Sequence, residues 1–373
     1  MNDFIPVNEP LLSGNEKKYL NECIDSGWIS SDGPFVERFE GEFAKKIGRK
    51  YAISVTSGTT ALEASCVALG FGKGDEIIMP TFTIISCATA IIKSGAKPVL
   101  VDCSNTDWNM LPEEIEKKIT SKTKAILVVH IYGLPCDMDE ILKIAKKHHL
   151  KIIEDSAEML GQTYKGKNCG TFGEISTFSF YANKHITTGE GGMILTDDYK
   201  IAEKCKSLRN LCFQPEKRFI HEEMGFNFRM TNIQAALGLA QLEQLDYFVK
   251  KKKEMGRVYN ELLSNLTNLI QLPIASNPCA SNIYWVYGIV LKSKDYNASN
   301  VTAKLKKEGI GTRPFFYPMH NQPVFKKKGL FVGESYKNSE IISKQGLYLP
   351  SGMKLSNDQI YKVAKKLKNI LIN

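Results

Sequence analysis

The sequence lacks several features that define whole classes of protein. It has no uninterrupted apolar run of about eighteen residues, so no membrane-spanning helix is predicted. Residues 1–4 are not a basic segment leading into an apolar one, so we expect a cytoplasmic protein without a secretory leader. The nine cysteines show no paired spacing, which favours reduced thiols over a disulfide framework. No Cys/His group has the spacing of a metal site, and no metal is predicted.

The charge balance is moderately basic, with 49 Lys and Arg against 40 Asp and Glu and a formal net charge of +9. The longest basic run, Lys250–Lys253, lies in a predicted helix and has no interleaved aromatic residues. Such runs usually face water, so this one favours a solvated helix face over a nucleic-acid surface, and no nucleic acid is predicted as a partner. A modest positive field would also suit a small substrate that carries phosphate.

The 373 residues are enough for two domains, and the first two thirds of the chain predict an α/β fold. Strands rich in Ile and Val alternate with amphipathic helices, which predicts a mostly parallel sheet buried on both faces. The predicted strands are Tyr51–Thr56, Glu76–Met79, Pro98–Val101, Ala125–Val129, Lys151–Glu154, Ile175–Phe180 and Met193–Thr196. The helices between them are predicted at Thr60–Leu69, Thr83–Lys93, Pro112–Ile119 and Asp137–His149.

The pattern changes after Arg229 and predicts a smaller C-terminal α+β domain. We place the boundary after residue 245, so that residues 1–245 form the large domain and residues 246–373 the small one. The elements predicted in this region are one long helix over Thr231–Leu266, strands at Asn282–Leu291 and Thr312–Tyr317, and helices at Ala303–Glu308 and Asn357–Leu371.

A small-residue turn follows the first predicted strand. Ser57-Gly58-Thr59-Thr60 lies between a strand and a helix, where exposed backbone N–H groups and a positive dipole end can bind phosphate. Gly58 allows a close approach, and the hydroxyls of Ser57 and Thr59 can donate. Taken alone, an ordinary helix N-cap explains the triplet at least as well.

Two further reactive side chains follow predicted strands, and ligands of open α/β sheets gather at such carboxyl ends. Asp155 ends a buried strand, where it either caps the next helix or holds a proton on a cationic ring nitrogen. Lys184 stands between an apolar strand and a glycine-rich turn. Most lysines lie at the surface, but a lysine in a partly desolvated pocket loses its proton more readily, and only the neutral amine forms an imine.

Long stretches of the chain resemble one family. They are Gly27-Trp28-Ile29-Ser30-Ser31, Lys184 with Ile186–Gly192, Asn227-Phe228-Arg229-Met230-Thr231-Asn232 and Thr312-Arg313-Pro314-Phe315-Phe316-Tyr317-Pro318. Together with the three motifs above, they resemble the DegT/DnrJ/EryC1/StrS sugar aminotransferases, a branch of the fold-type I pyridoxal-phosphate enzymes. The resemblance extends from Ile5 to Ser351 and is strongest to enzymes of the perosamine-synthase type.

The resemblance implies an aspartate-aminotransferase-like fold, with a mostly parallel seven-stranded sheet in the large domain, and pyridoxal 5′-phosphate as cofactor. It implies that Lys184 binds the cofactor covalently and then moves protons, and that Asp155 pairs with the pyridine nitrogen. The other implied cofactor contacts are Glu158 at the ring hydroxyl, Ser57, Gly58, Thr59 and Ser179 at the phosphate, and Asn227 reaching that phosphate from the second subunit of a homodimer. Candidate contacts to the sugar nucleotide are Trp28, Ser30, Arg313 and His320, although His320 taken alone is better explained as a structural histidine.

One position departs from the family pattern. Where the family commonly has an aromatic residue that stacks on the cofactor ring, this chain has Ile84. An aliphatic side chain still covers the ring by dispersion, but the stacking contribution of about 1 kcal/mol is lost.

The implied reaction moves an amino group from L-glutamate to the C4 ketone of a nucleotide-linked 4-keto-6-deoxyhexose. Both GDP-perosamine and UDP-viosamine formation fit. A dehydratase on the same scaffold is disfavoured because those enzymes have histidine in place of Lys184. A dinucleotide oxidoreductase is disfavoured because Gly70-Phe71-Gly72-Lys73-Gly74 follows a helix and precedes a strand, the wrong order for a phosphate-binding turn. A non-catalytic regulator would leave Lys184 and Asp155 unexplained.

Overall fold

The computed structural model describes residues 4–293 and 296–372. Its helices are α1 Glu16–Ser26, α2 Pro34–Ile47, α3 Gly58–Ala68, α4 Ile85–Lys93, α5 Pro112–Lys118, α6 Met138–Lys147, α7 Tyr199–Arg209, α8 Asn232–Leu242, α9 Leu245–Leu263, α10 Ala298–Lys307, α11 Pro323–Lys327, α12 Lys337–Gln345 and α13 Asn357–Ile372. Its strands are β1 Tyr51–Val55, β2 Glu76–Pro80, β3 Lys97–Val101, β4 Thr123–Val129, β5 Lys151–Asp155, β6 Thr163–Tyr164, β7 Lys167–Asn168, β8 Ile175–Ser179, β9 Gly192–Thr196, β10 Ile270–Gln271, β11 Ser276–Asn277, β12 Ala280–Ser281, β13 Tyr287–Leu291, β14 Arg313–Pro314 and β15 Gly346–Leu349. Among the described residues, no helix is long and apolar enough to cross a bilayer.

The main sheet has seven strands in the order β1-β9-β8-β5-β4-β2-β3. The pairs from β8 through β5, β4 and β2 to β3 are parallel, and β9 runs opposite to both of its neighbours. All seven predicted strand segments are therefore confirmed, as is the mostly parallel α/β fold.

The sheet is buried on both faces, which explains its continuous apolar runs. Successive side chains of a strand point to opposite faces. Accordingly, Ile153 and Leu127 belong to one hydrophobic cluster, whereas Ile152 and Ile126 belong to another on the far side. Helices cover both clusters, so the strands carry little polar alternation and the sequence pattern of a buried parallel sheet results.

The C-terminal region forms a second, four-stranded antiparallel sheet in the order β10-β13-β15-β14. It packs with α9, α10 and α13 around a separate apolar cluster, as expected for an α+β unit. The two predicted strands in this region are shorter than expected. Asn282–Leu291 is a strand only over Tyr287–Leu291, because the chain turns at Tyr284, whose φ is +48°. Thr312–Tyr317 is a strand only at Arg313–Pro314.

The long helix predicted over Thr231–Leu266 is wrong, since α8 ends at Leu242 and α9 begins at Leu245. No glycine or proline stands at the break. Instead, the side chains of Glu243 and Gln244 bond to the first helix and to the segment just before it: Tyr19 of α1 donates to Glu243 at 2.6 Å, and Ser13 donates to Gln244 at 3.2 Å. A tertiary contact therefore interrupts a locally continuous helical pattern.

The basic run Lys250–Lys253 lies on α9, and the prediction of a solvated face is wrong for one of its members. Lys250 and Lys253 are exposed, but Lys252 is buried, with 1% of its surface accessible. Its ammonium group donates to the backbone carbonyls of Trp285 (2.9 Å) and Ser351. Those carbonyls take the place of water around the buried amine.

The amino-terminal segment joins the C-terminal sheet region. Ile5 pairs with Ile310 in a parallel bridge, and the Val7 carbonyl accepts a hydrogen bond from the N–H of Ser351 at 2.9 Å. In addition, the Asn8 side chain donates to the Ala182 carbonyl at 2.9 Å, two residues before Lys184. The predicted domain boundary after residue 245 stays a prediction.

Candidate active site

One cavity, of about 370 Å³, opens at the carboxyl ends of β1, β4, β5 and β8, where an open α/β sheet is expected to bind ligands. The start of α3 and residues of the C-terminal region complete its wall. It is lined by Ser57, Gly58, Thr59, Leu62, Thr83, Ile84, Ser86, Val129, His130, Asp155, Ala157, Glu158, Ser179, Tyr181, Asn183, Lys184, Glu190, Trp285, Phe316 and Tyr348. Eight of the predicted site residues, Ser57, Gly58, Thr59, Ile84, Asp155, Glu158, Ser179 and Lys184, thus meet in one place.

Hydroxyl groups and a helix start form one end of the cavity. Ser57 is the N-cap of α3 and forms a capping box with Thr60, so the simpler interpretation of this turn is correct. The cap does not exclude a ligand, because the first N–H groups of a helix lack partners within it. A Cβ atom on Gly58 would lie 2.8 Å from the Cβ of Ser179, so a glycine is needed for the two segments to meet. The result is a tight cradle suited to a phosphate group.

A buried carboxylate forms the floor. Asp155 is the last residue of β5, pairs in register with Val129 on β4 and Thr177 on β8, and is 3% exposed. Its carboxylate accepts hydrogen bonds from the Ala157 N–H at 3.1 Å and from the Cys87 thiol at 3.4 Å. Burial raises the pKa of Asp155, with the nearby Lys184 amine acting in the opposite direction. A buried anion of this kind is stabilised by a cationic partner.

The loop that carries Lys184 is tightly bonded to its surroundings. The Lys184 N–H donates to the Tyr181 carbonyl at 2.9 Å, and Tyr181 bridges to Gly189, whose φ of +81° the turn requires. The Lys184 side chain is half-buried, and its Nζ lies 3.7 Å from the centre of the Trp285 ring. Burial lowers the pKa of the Lys184 amine, while the carboxylates of Glu158 and Asp155 oppose that shift. Burial therefore makes the neutral, nucleophilic form easier to reach than it is for a lysine at the protein surface.

Glu158 is a second buried acid in the cavity, 6% exposed. Its Oε2 accepts a hydrogen bond from the Tyr132 N–H at 2.6 Å. Burial raises the pKa of Glu158 to about 8, partly offset by the Lys184 amine. The side chain is therefore mostly protonated at neutral pH and can donate a hydrogen bond.

Ile84 forms one wall of the cavity and is 45% exposed, so its side chain is free to cover a flat ligand. The lining also contains residues to which the sequence analysis assigned no role, among them Trp285, Phe316, Tyr348 and His130. The first three come from the C-terminal region, more than 100 residues beyond Lys184, so no local pattern links them to the site. His130 follows β4 directly, and its position at a strand end was a usable signal.

His130 belongs to a buried trio with Glu154 and Cys169, whose ligand atoms lie within 4.8 Å of one another. Glu154 already accepts hydrogen bonds from the N–H of Phe172 at 2.8 Å and from the Ser156 hydroxyl at 3.1 Å, and it lies 3.2 Å from His130 Nε2. His130 Nδ1 accepts from the N–H of Cys136 at 3.0 Å, which leaves Nε2 as a donor to Glu154. His130 and Glu154 therefore form a hydrogen-bonded pair at the edge of the cavity, with the Cys169 thiol beside them.

Five predicted site residues lie outside the cavity lining. Asn227 is exposed, and its side-chain oxygen accepts from Arg229 at 2.9 Å. Trp28 and Ser30 have their carbonyls bonded to Asn232, the first residue of α8. Arg313 is exposed and pairs in register with Tyr348, which does line the cavity.

His320 is the fifth of these residues, and its ring is fully buried. One ring nitrogen lies 2.8 Å from the Thr81 hydroxyl and the other 2.9 Å from Glu340. Both nitrogens are therefore engaged within the protein. A structural role, already the better explanation for this histidine taken alone, accounts for the whole arrangement.

The cavity fits pyridoxal phosphate by the chemistry of its donors. Three groups line one cavity: an anion cradle at Gly58, a buried carboxylate at Asp155 and a half-buried amine at Lys184. They match the phosphate, the pyridinium nitrogen and the aldehyde of the cofactor, in that order. The fold and the site together define a pyridoxal-phosphate-dependent aminotransferase of fold type I.

Comparison with known proteins specifies the class. Residues 10–368 match the model of the DegT/DnrJ/EryC1/StrS aminotransferase family, and the chain belongs to that family. It is 43% identical over 364 residues to the GDP-perosamine synthase of Escherichia coli O157:H7 and 40% identical over 366 residues to that of Vibrio cholerae, with 98% of each chain covered in both cases. The chain also superposes on the structure of Helicobacter pylori PseC, an aminotransferase involved in the biosynthesis of pseudoaminic acid. The TM-score is 0.94 at 27% sequence identity, and the match covers 99% of this chain and 100% of PseC.

Proposed function

We propose that this protein transfers the amino group of L-glutamate to the C4 ketone of a GDP-linked 4-keto-6-deoxyhexose and so forms GDP-perosamine. The observation that carries this proposal is the 43% and 40% identity to GDP-perosamine synthases over 98% of both chains. Similarity over the full length includes every segment that contributes to the cavity.

Bound pyridoxal phosphate supplies an electron-withdrawing ring that stabilises negative charge on the carbon next to the amino nitrogen. The role of Asp155 is to accept a hydrogen bond from the protonated ring nitrogen and so keep the proton on that nitrogen. Its position favours this role, because a carboxylate that burial destabilises gains most from a cationic partner.

Lys184 binds the cofactor and acts as the base. Its Nζ would be the group that moves the proton: it would take the proton from the donor carbon that bears the amino nitrogen and return it to the carbon on the other side of that nitrogen. The same atom moves the proton in the reverse direction when the keto sugar is aminated. The lowered pKa makes this amine a more available base than a lysine at the protein surface.

The rest of the cavity positions the reactants. The α3 start with Ser57, Gly58, Thr59 and Ser179 holds the phosphate, and the protonated carboxyl of Glu158 donates to the ring hydroxyl. Ile84 covers one face of the ring. As substrate contacts we propose Trp28, Ser30 and Arg313. Arg313 lies on β14, next to the cavity residue Tyr348 on β15, and carries the positive charge that a nucleoside diphosphate needs.

We further propose that the active unit is a homodimer in which Asn227 of one subunit reaches the cofactor phosphate of the other. Two features support this. Asn227 is exposed rather than directed into the cavity of its own chain, and the preceding loop exposes large apolar side chains, Phe219 at 80% and Met224 at 93%. Exposed apolar clusters of this kind mark protein interfaces.

The substrate proposal is tested by incubating the protein and glutamate with GDP- and UDP-linked 4-keto-6-deoxyhexoses and identifying products by mass and NMR. We expect the 4-amino sugar from the GDP substrate, and no product from Lys184→Ala. Amination of the UDP substrate alone would contradict the assignment of GDP, and a 3-deoxy keto sugar would contradict aminotransfer.

The shared site is tested by complementation. Lys184→Ala and Asn227→Ala chains are each expected to be impaired, but a mixed dimer would contain one site with both residues intact. Coexpression is therefore expected to restore activity above that of either variant. No recovery in mixed dimers isolated with two affinity tags would show that Asn227 does not act across the interface.

A further inference from the structure

The ring of Trp285 lies directly against the reactive amine. The Lys184 Nζ lies 3.7 Å from the centre of its ring, well within the range of a cation–π contact. The tryptophan is 4% exposed, so water does not compete at its face. A desolvated contact of this type is stronger than one at the protein surface.

Trp285 is held at three points. Its indole N–H donates to the Asn183 carbonyl at 3.0 Å, on the residue that precedes Lys184. Its own carbonyl accepts from the buried amine of Lys252 at 2.9 Å. Its ring also packs against Tyr132, with the two ring centres 5.8 Å apart. These contacts restrict the ring to one orientation relative to the lysine loop.

The segment around Trp285 is itself constrained. The preceding residue, Tyr284, has a φ of +48°, which is uncommon for an aromatic residue. The backbone passes so close to Gly133 that a Cβ there would lie 2.9 Å from the Trp285 N–H nitrogen. On the other side, the Ile283 carbonyl lies 3.2 Å from Nε2 of His185, the residue after Lys184. Backbone strain that the surroundings stabilise is typical of functional sites.

The lysine amine has a specific need for such a surface. In the proposed reaction Lys184 is released from the cofactor as soon as the amino donor takes its place, and it then carries the proton that it has removed. A free ammonium group inside the cavity has lost most of its water, and a π face replaces part of that stabilisation.

We propose that the face of Trp285 is the docking surface for the free Lys184 ammonium group in the stage of catalysis in which the lysine is not bound to the cofactor. Lys252 and Asn183 are positioning residues that hold the ring there. This inference rests on the proposed function, because only a reaction that releases the lysine requires such a surface.

The test uses protein loaded with pyridoxamine phosphate, in which Lys184 is free and no substrate is needed. The pKa of Lys184 is measured by trace acetylation across a pH series, with the Lys184 peptide quantified by mass spectrometry. Fluorinated tryptophans are incorporated in place of the natural residue. Fluorine withdraws electron density from the ring face but changes its size little, so a packing role is preserved while the attraction for a cation falls.

We expect the Lys184 pKa to fall stepwise with each added fluorine, by about one unit in total, the size of a desolvated cation–π contact. The matched control is Trp285→Phe carrying fluorinated Trp28 and Trp108, in which fluorination is expected to leave the Lys184 pKa constant. Unfolding midpoints of all forms are compared to show that the fold is unchanged.

A Lys184 pKa that is the same in natural and fluorinated protein would overturn the inference. So would an equal dependence on fluorination in the Trp285→Phe control, since the effect would then come from another tryptophan. Neither outcome bears on the substrate assignment. Conversely, failure to aminate the GDP-linked sugar would overturn the proposed function without altering the measured pKa values.

Discussion

The buried amine of Lys252 is expected to give the protein a measurable pH dependence of stability. Its amine is buried and bonded to two backbone carbonyls, and burial lowers its pKa from 10.5 to about 7. The perturbation is Lys252→Met, which keeps the length and apolar part of the side chain but removes the titrating group. We expect this variant to lose a specific pH dependence of stability.

The sign and size follow from proton linkage. Between pH 7 and 10.5 the unfolded chain holds a proton on Lys252 that the folded chain has released, so the free energy of unfolding rises with pH. A full proton corresponds to about 1.4 kcal/mol per pH unit. Because the folded amine is still half-protonated at pH 7, the gain between pH 7 and 9 is about 2 kcal/mol. Below pH 7 both states hold the proton and this contribution levels off.

The assay is urea unfolding of cofactor-free protein, followed by far-UV circular dichroism at pH 7, 8 and 9 and at one fixed protein concentration. The difference between wild type and Lys252→Met isolates the contribution of this group. The matched control is Lys253→Met, an exposed neighbour on the same helix, which is expected to keep the wild-type dependence. Parallel pH profiles for wild type and Lys252→Met would refute the reasoning, whatever the absolute stability of the variant.

Three further outcomes are expected at the cofactor site. Asp155→Asn lowers the rate of amino transfer by about a hundredfold or more in single-turnover kinetics, because a neutral amide no longer keeps the ring nitrogen protonated; unchanged kinetics would remove Asp155 from that role. Gly58→Ala weakens cofactor binding about tenfold in a spectroscopic titration, because the new Cβ would lie 2.8 Å from the Cβ of Ser179. The control Gly41→Ala leaves the affinity unchanged, because a Cβ there has no atom within 4 Å. Ile84→Phe tightens cofactor binding about fivefold by restoring ring stacking, and an equal or weaker affinity would show that the wall does not contact the ring.

Much of the large domain was predictable because the patterns that specify its strands lie within short segments of the sequence. A strand buried on both faces must be continuously apolar, so the apolar runs around Ile78, Ile126 and Ile153 can be recognised as strands from the sequence. In a parallel sheet the carboxyl ends of the strands meet at one edge. Asp155 and Lys184 could therefore be placed together before any coordinate was known.

The features that sequence reasoning missed all depend on contacts between distant segments. At the break between α8 and α9, side chains bond to Tyr19 of the first helix and to Ser13 just before it, more than 200 residues away in the chain. Lys252 is buried by carbonyls 33 and 99 residues away, although its immediate neighbours are also lysines. Trp285 reaches the site through the turn at Tyr284, which delays the start of β13 to Tyr287. Periodicity and spacing carry no information about such pairings.

The amino-terminal segment has a consequence for the order in which the protein is built. Ile5 pairs with Ile310, Val7 bonds to Ser351, and Asn8 supports the loop that ends in Lys184. Segments more than 300 residues apart must therefore meet before the loop that carries Lys184 receives its full support. All strands of the main sheet lie between Tyr51 and Thr196, so we expect the sheet to form first and the loop that carries Lys184 to gain its full support in a later step of folding.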